Sequence, residues 1–212
     1  MRRIVFQGDS VTDCGRNREA AANTPGGLGF GYANLAASRW LCEYPADGRE
    51  FLNRGISGNR VVDLYARWKI DTLNLNPELI SILIGVNDVW HEFDFGNGVE
   101  PERYEQIYRM LLEWTSKVLP GVKLIVMEPF ALETGAVKSE FRREVAMRAA
   151  AAKRVAADFG AAFIPFQGMF DAACRHAPAN HWLGDGVHPT PAGHQLIADA
   201  WLPVAKKLLT GK

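Results

Sequence analysis

The 212-residue chain has no excess of charge of either sign, since Lys plus Arg and Asp plus Glu both total 24. It therefore carries no one-signed field to attract nucleic acid or an anionic membrane, and a small or neutral partner is expected. Cysteine is scarce: Cys14, Cys42 and Cys174 are odd in number, widely spaced and without a Cys-x-x-Cys pair, which suits a reducing compartment better than a disulfide framework. After Met1-Arg2-Arg3 only a few apolar residues precede Gln7, too short a run for a signal-peptide core or a membrane span. A cytoplasmic location is the expectation.

Several binding signatures are also missing. No Gly-x-x-x-x-Gly-Lys-Ser/Thr occurs, Gly26 to Gly31 does not form Gly-x-Gly-x-x-Gly, and the elbow Gly-x-Ser-x-Gly is absent around Ser10, where Thr12 takes the place of the last glycine. His188 and His194 are too far apart for one helical face, so no metal ligand set is legible and no metal or organic cofactor is implied.

What is present is an alternation of strand-length apolar runs with longer segments of helical periodicity. That pattern predicts one α/β domain over residues 1–212, a three-layer α/β/α sandwich around about five parallel strands. Strands are expected at about 3–7, 50–53, 79–84, 123–127 and 162–164, the third being apolar enough to lie in the centre of the sheet. Helices are expected at about 32–43, over a segment carrying Leu64, Trp68 and Leu73, from Pro101 to Val118, at about 138–159 and 170–176, and from Pro191 onward. The segment from Cys14 to Gly31 is too long for a simple strand-to-helix turn, which suggests function or an interface.

Ser10 falls at the C-terminal end of the first strand, in Phe6-Gln7-Gly8-Asp9-Ser10. In open α/β sheets ligands bind at that edge. A serine hydroxyl needs a base and oxyanion donors before it is a nucleophile. The chain supplies candidates in Gly55-Ile56-Ser57-Gly58-Asn59, Gly85-Val86-Asn87-Asp88 and Asp185-Gly186-Val187-His188-Pro189.

These four blocks, in this order and over nearly the whole chain, resemble the SGNH hydrolases, or GDSL-type esterases and lipases, whose four naming residues fall on Ser10, Gly58, Asn87 and His188. The strings at 8–16, 53–59 and 84–90 are similar to the intracellular acetylxylan esterase branch in particular. The resemblance implies a flavodoxin-like strand order. It also implies Ser10 as nucleophile, His188 as general base and acid, Asp185 as the group orienting the imidazole, and an oxyanion hole made by the backbone N–H groups of Ser10 and Gly58 and the side-chain amide of Asn87.

Around this set the bland readings are structural. Asp9, Asp13, Asp88, Asn53 and Arg54 are expected to tie down loops, and Cys14 to be a small buried thiol. Trp40, Trp114 and Trp201 lie on packing faces. Trp90 and Trp182 are placed in loops near Asn87 and Asp185, where an indole could stack on a sugar, and His91 is a further candidate for substrate contact. His176, His181 and His194 default to surface or helix roles. The expected activity is hydrolysis of short acyl esters, with acetylated xylo-oligosaccharides or related sugars as substrate. Gly184, where that branch can carry a bulky aromatic, marks a departure at the pocket rim. The alternatives are a short-chain carboxylesterase, a thioesterase or a lysophospholipase-like lipase, and, from another class, a non-catalytic carbohydrate-binding protein. A homo-oligomer is expected from the branch resemblance and the long Cys14–Gly31 segment.

Overall fold

A computed structural model describes residues 2–211, so Met1 and Lys212 lie outside the described residues. Strands β1 (Arg2–Gly8), β2 (Arg49–Asn53), β3 (Leu79–Leu83), β4 (Lys123–Met127) and β5 (Ala162–Ile164) form one parallel sheet in the order β2-β1-β3-β4-β5. This is the flavodoxin-like order, with its topological switch between β1 and β3. β1 pairs on both sides, Ile4 lying opposite Phe51 of β2 and Leu79 of β3.

The helices are α1 (Ser10–Asp13), α2 (Pro25–Leu28), α3 (Tyr32–Glu43), α4 (Val61–Asp71), α5 (Val86–Phe95), α6 (Pro101–Val118), α7 (Ser139–Asp158), α8 (Gln167–Ala173), α9 (Ala179–Trp182) and α10 (Pro191–Thr210). Alternation along β3 divides the core. Leu79 and Leu83 join Ile4, Phe6 and Phe51 against Trp40 of α3 and Trp201 of α10, whereas Ile80 and Ile82 face Trp68 of α4, Leu111 of α6 and Val155 of α7. The one polar residue of β3, Ser81, accepts a hydrogen bond from Trp201 Nε1. Trp68 Nε1 likewise donates to Thr115 Oγ1 at 2.9 Å, so two large indoles enter the core with their N–H groups satisfied.

Several features differ from the sequence expectation. The segment after β3, expected as a loop, is α5, stabilised where Val86 and Val89 pack against Val137, Val145 and Val187. Leu73 lies on a separate 3-10 turn, and Trp114 is only half-buried, stacked beside Tyr65. Helix α8 starts at Gln167 rather than Phe170 because Glu128 accepts the Gln167 N–H at 2.8 Å and the Gln167 side chain bonds the backbone of Ala131.

The Cys14–Gly31 segment holds α2, capped by Thr24, and just before that cap it covers the free edge of the sheet. Asn23 donates from Nδ2 to Arg49 O at 2.9 Å and accepts the Phe51 N–H at 2.7 Å, taking the place of a neighbouring strand along β2. Asn53, at the end of β2, donates to Thr12 O and Leu28 O and so binds this segment to the serine-bearing turn.

Candidate active site

Gly8 ends β1 because nothing larger fits. A Cβ there would lie 2.4 Å from both Leu83 O and Thr12 Oγ1. Asp9 then caps α1, accepting the Val11 N–H at 3.0 Å, and the first residue of that short helix is Ser10. Burial pushes the Asp9 carboxyl up to about 7 against the lowering pull of the Val11 N–H and nearby His188. A buried acid with a raised pKa, bonded into its own turn, serves as a brace for the serine.

Ser10 Oγ lies 2.8 Å from His188 Nε2, and His188 Nδ1 lies 2.6 Å from Asp185 Oδ2. With Nδ1–H donated to the carboxylate, Nε2 is the acceptor for the serine proton. The other carboxylate oxygen, Asp185 Oδ1, accepts the backbone N–H groups of Val187 and His188 at 3.0 and 2.8 Å. Partial burial raises the Asp185 carboxyl, but the hydrogen bonds from the His188 and Val187 backbone and from the His188 ring outweigh it and hold the group below the ordinary carboxylate range. The acid is thus kept ionised beside the imidazole.

This loop is itself supported. Gly186 sits at φ +103°, and the segment over 131–138 packs against it, Leu132 N donating to Gly186 O at 2.9 Å and Ala136 N to Asp185 O at 3.2 Å. Gly184 N donates to His188 O at 2.9 Å, closing the turn.

Opposite the imidazole, Ser57 donates to Asp13 Oδ2 from both its N–H and its hydroxyl, at 3.0 and 2.9 Å, and Gly55 packs on the backbone of Thr12 and Asp13. The 55–59 loop is therefore fastened to the turn that carries Ser10. Gly58 adopts φ +82°, where a side chain would be strained. Neither the Ser10 nor the Gly58 backbone N–H has an acceptor among the described residues. Asn87, in the first turn of α5, points its amide into the same region and donates to Asn59 O at 3.2 Å. Beside it Asp88 accepts the Val61 N–H; burial raises this carboxyl to about 7, with that bond and Arg148 pulling the other way.

A hydroxyl, an imidazole and a carboxylate in one hydrogen-bonded chain can move the serine proton as the oxygen attacks an acyl carbon. Free N–H donors on the facing loop can receive the charge that develops.

The aromatic candidates separate. Trp90 lies on α5 rather than in a loop, one turn beyond Asn87, with its ring centroid 6.4 Å from that of His188. His91, on the same helix, packs edge-on against Phe95 and makes no hydrogen bond or ring contact with Ser10, Asp185 or His188. Trp182 ends α9, donates from Nε1 to Ala177 O and packs on the α3–α10 core.

His194, read as a surface or helix residue, is buried. Its Nδ1 accepts the Tyr32 N–H at 3.1 Å, its Nε2 lies 3.3 Å from Cys14 Sγ, and burial together with the nearby His188 pushes it down to about 4. It is a neutral strut between α10 and α3, which spacing alone could not reveal. Cys14 is half-buried and its thiol is pushed up by burial, and Cys14, Cys42 and Cys174 are all free. No helix among the described residues is long and apolar enough to cross a membrane.

Residues 6–196 match the GDSL-like lipase/acylhydrolase family. The chain is 35% identical over 204 residues to an acetylxylan esterase from Geobacillus stearothermophilus, covering 94% of this chain and 92% of that one. Among solved structures it is similar to a protein described as a GDSL-like lipase from Parabacteroides merdae (41% identity, 98% and 96% of the two chains, TM-score 0.93). It is also similar to an acetylxylan esterase from Geobacillus stearothermophilus (33% identity, 95% and 93%, TM-score 0.87). The chain belongs to the GDSL-like lipase/acylhydrolase family and is a carboxylic ester hydrolase of the serine esterase type.

Proposed function

We propose that this esterase removes acetyl groups from xylo-oligosaccharides or related sugars through an acyl-enzyme formed on Ser10. The observation that carries the mechanism is the unbroken chain from Ser10 Oγ through His188 to Asp185. Ser10 Oγ attacks the ester carbonyl as its proton passes to His188 Nε2, and the negative oxygen is received by the N–H groups of Ser10 and Gly58 and the Asn87 amide. Collapse breaks the bond to the alcohol oxygen, which takes the proton from His188. Water, deprotonated by the same imidazole, then releases acetate and restores the serine.

The observation that supports a short acyl group on a sugar is that the chain aligns with an acetylxylan esterase over nearly its whole length. Structures of the Geobacillus enzyme include catalytic mutants at a serine and at an aspartate three residues before a histidine, the spacing of Asp185 and His188. The free cysteines and neutral charge balance support a cytoplasmic enzyme.

The test is hydrolysis of 4-nitrophenyl esters of rising acyl length alongside acetylated xylobiose, by wild type and Ser10→Ala. Preference for acetate, release of acetyl from the sugar and loss of both in the variant are expected. Preference for longer chains would move the substrate to lipids or thioesters.

A further inference from the structure

Beside His188 opens a pocket of about 210 Å³ lined by Trp90, Phe93, Asp94, Ala136, Lys138 and Phe141. Its aromatic wall is preorganised. Trp90 Nε1 donates to Asp94 Oδ2 at 2.7 Å, the Trp90 ring meets Phe141 edge-on at 5.4 Å, and Phe93 packs on Phe141 at 5.6 Å while remaining 49% exposed. The opposite wall, Ala136 and Lys138, belongs to the segment that supports the Asp185 loop, since Ala136 N donates to Asp185 O. Pocket and triad are therefore built on the same backbone.

The side of the triad on which the pocket lies decides which half of an ester it would meet. The leaving oxygen must receive its proton from His188 Nε2, so the alcohol lies toward the imidazole and the acyl oxygen toward Gly58 and Asn87. Trp90, whose ring centroid lies 6.4 Å from that of His188, forms one wall of the pocket, and Ala136 on the other wall donates to the backbone of Asp185, the partner of that imidazole. The pocket is thus on the alcohol side.

Its chemistry suits a sugar ring. Aromatic faces can cover the C–H face of a pyranose, while the Asp94 carboxylate accepts hydroxyl protons and the Lys138 ammonium, which has no ion pair among the described residues, donates to hydroxyl oxygens. The volume lies below the range for drug-sized ligands and suits one ring.

We infer that Trp90, Phe93 and Phe141, with Asp94 and Lys138, form a subsite for a second sugar ring of the leaving alcohol, next to the ring that bears the acetyl ester. This subsite rests on the sugar-ester reading above and names where that substrate extends.

The test compares wild type, Phe93→Ala and Lys138→Met on 4-nitrophenyl acetate, acetylated xylose and acetylated xylobiose, with xylobiose also titrated calorimetrically into Ser10→Ala and into Ser10→Ala/Phe93→Ala. Both side chains are exposed, and thermal unfolding checks that the variants fold. The expected result is a fall in kcat/KM on acetylated xylobiose at least tenfold greater than on 4-nitrophenyl acetate, carried by KM. Acetylated xylose, too short to fill the pocket, should be affected less. Xylobiose should bind the Ser10→Ala protein and bind the double variant at least tenfold more weakly. Equal changes on all three substrates, with wild type active on acetylated xylobiose, would overturn the subsite and leave the sugar-ester function standing. Wild type inactive on both acetylated sugars would overturn that function. A shift in acyl-length preference in Phe93→Ala would then assign the pocket to the acyl chain, and xylobiose failing to bind would overturn the subsite without reference to turnover.

Discussion

The side-chain amide of Asn87 donates to the backbone carbonyl of Asn59 at 3.2 Å, joining the first turn of α5 to the loop that carries Gly58. A donor held this way is aimed before substrate arrives and needs little reorganisation to meet a developing oxyanion. Replacing it with Ala should lower kcat on 4-nitrophenyl acetate by about 10²–10³, as for one lost oxyanion donor. The lost bond to Asn59 should cost only about 1 kcal/mol in urea unfolding. Near-wild-type turnover would remove Asn87 from the oxyanion hole.

Asp185 has two duties, one oxygen on the imidazole and the other on two backbone N–H groups. Asp185→Asn can keep the second through its amide oxygen while losing the charge that selects the His188 tautomer. The loop should stay folded while kcat falls by about 10⁴, the scale of a triad left in the wrong tautomer. Thermal unfolding measured beside kcat separates the two effects, and a variant that unfolds as it loses activity would point to a structural role alone.

Cys14 lies four residues from Ser10 and is the rival nucleophile. Burial raises its thiol, whereas Cys42 is exposed. A thiol reagent should therefore label Cys42 first at neutral pH, with activity retained after that first modification. Cys14→Ala should keep most of its turnover, and loss of activity comparable to that of Ser10→Ala would reverse the assignment.

Asp88 gives a pH dependence of defined sign. Its folded-state pKa is raised to about 7 by burial, so the native protein holds a proton that the unfolded chain releases above about pH 4. The stabilisation from this protonated group is complete below the unfolded pKa and is lost as pH rises through the folded one. Asp88→Asn, uncharged at every pH and still able to accept the Val61 N–H, should gain stability relative to wild type between pH 5 and pH 8. Chemical denaturation of both proteins at the two pH values checks this, and a constant difference would show that the carboxyl is ionised throughout.

Strand placement was legible because a parallel strand buried on both faces must be apolar throughout, as in Leu79-Ile80-Ser81-Ile82-Leu83. The order of the sheet and the family were legible from the four blocks. Less legible was α5, where Gly85 and Asn87 read as a turn and the helix is stabilised by contacts with Val137 and Val145, 48 residues or more away in the chain.

By itself, then, the amino-acid order determined the α/β architecture, the strand ends that present Ser10, Gly58 and Asn87 at one edge, and the local turn that joins Asp185 to His188. These follow from periodicity and from spacings of a few residues, which backbone geometry converts directly into position. Tertiary structure alone decided that His194 is a neutral buried strut between Tyr32 and Cys14 and that Asn23 closes the edge of β2. It also decided that Trp90, Phe93 and Phe141 meet beside His188 while Trp182 packs half-buried against the core. Each of these depends on which distant surfaces pack together. A side chain's burial, and with it its charge and its partners, is a property of that packing rather than of its neighbours in the chain.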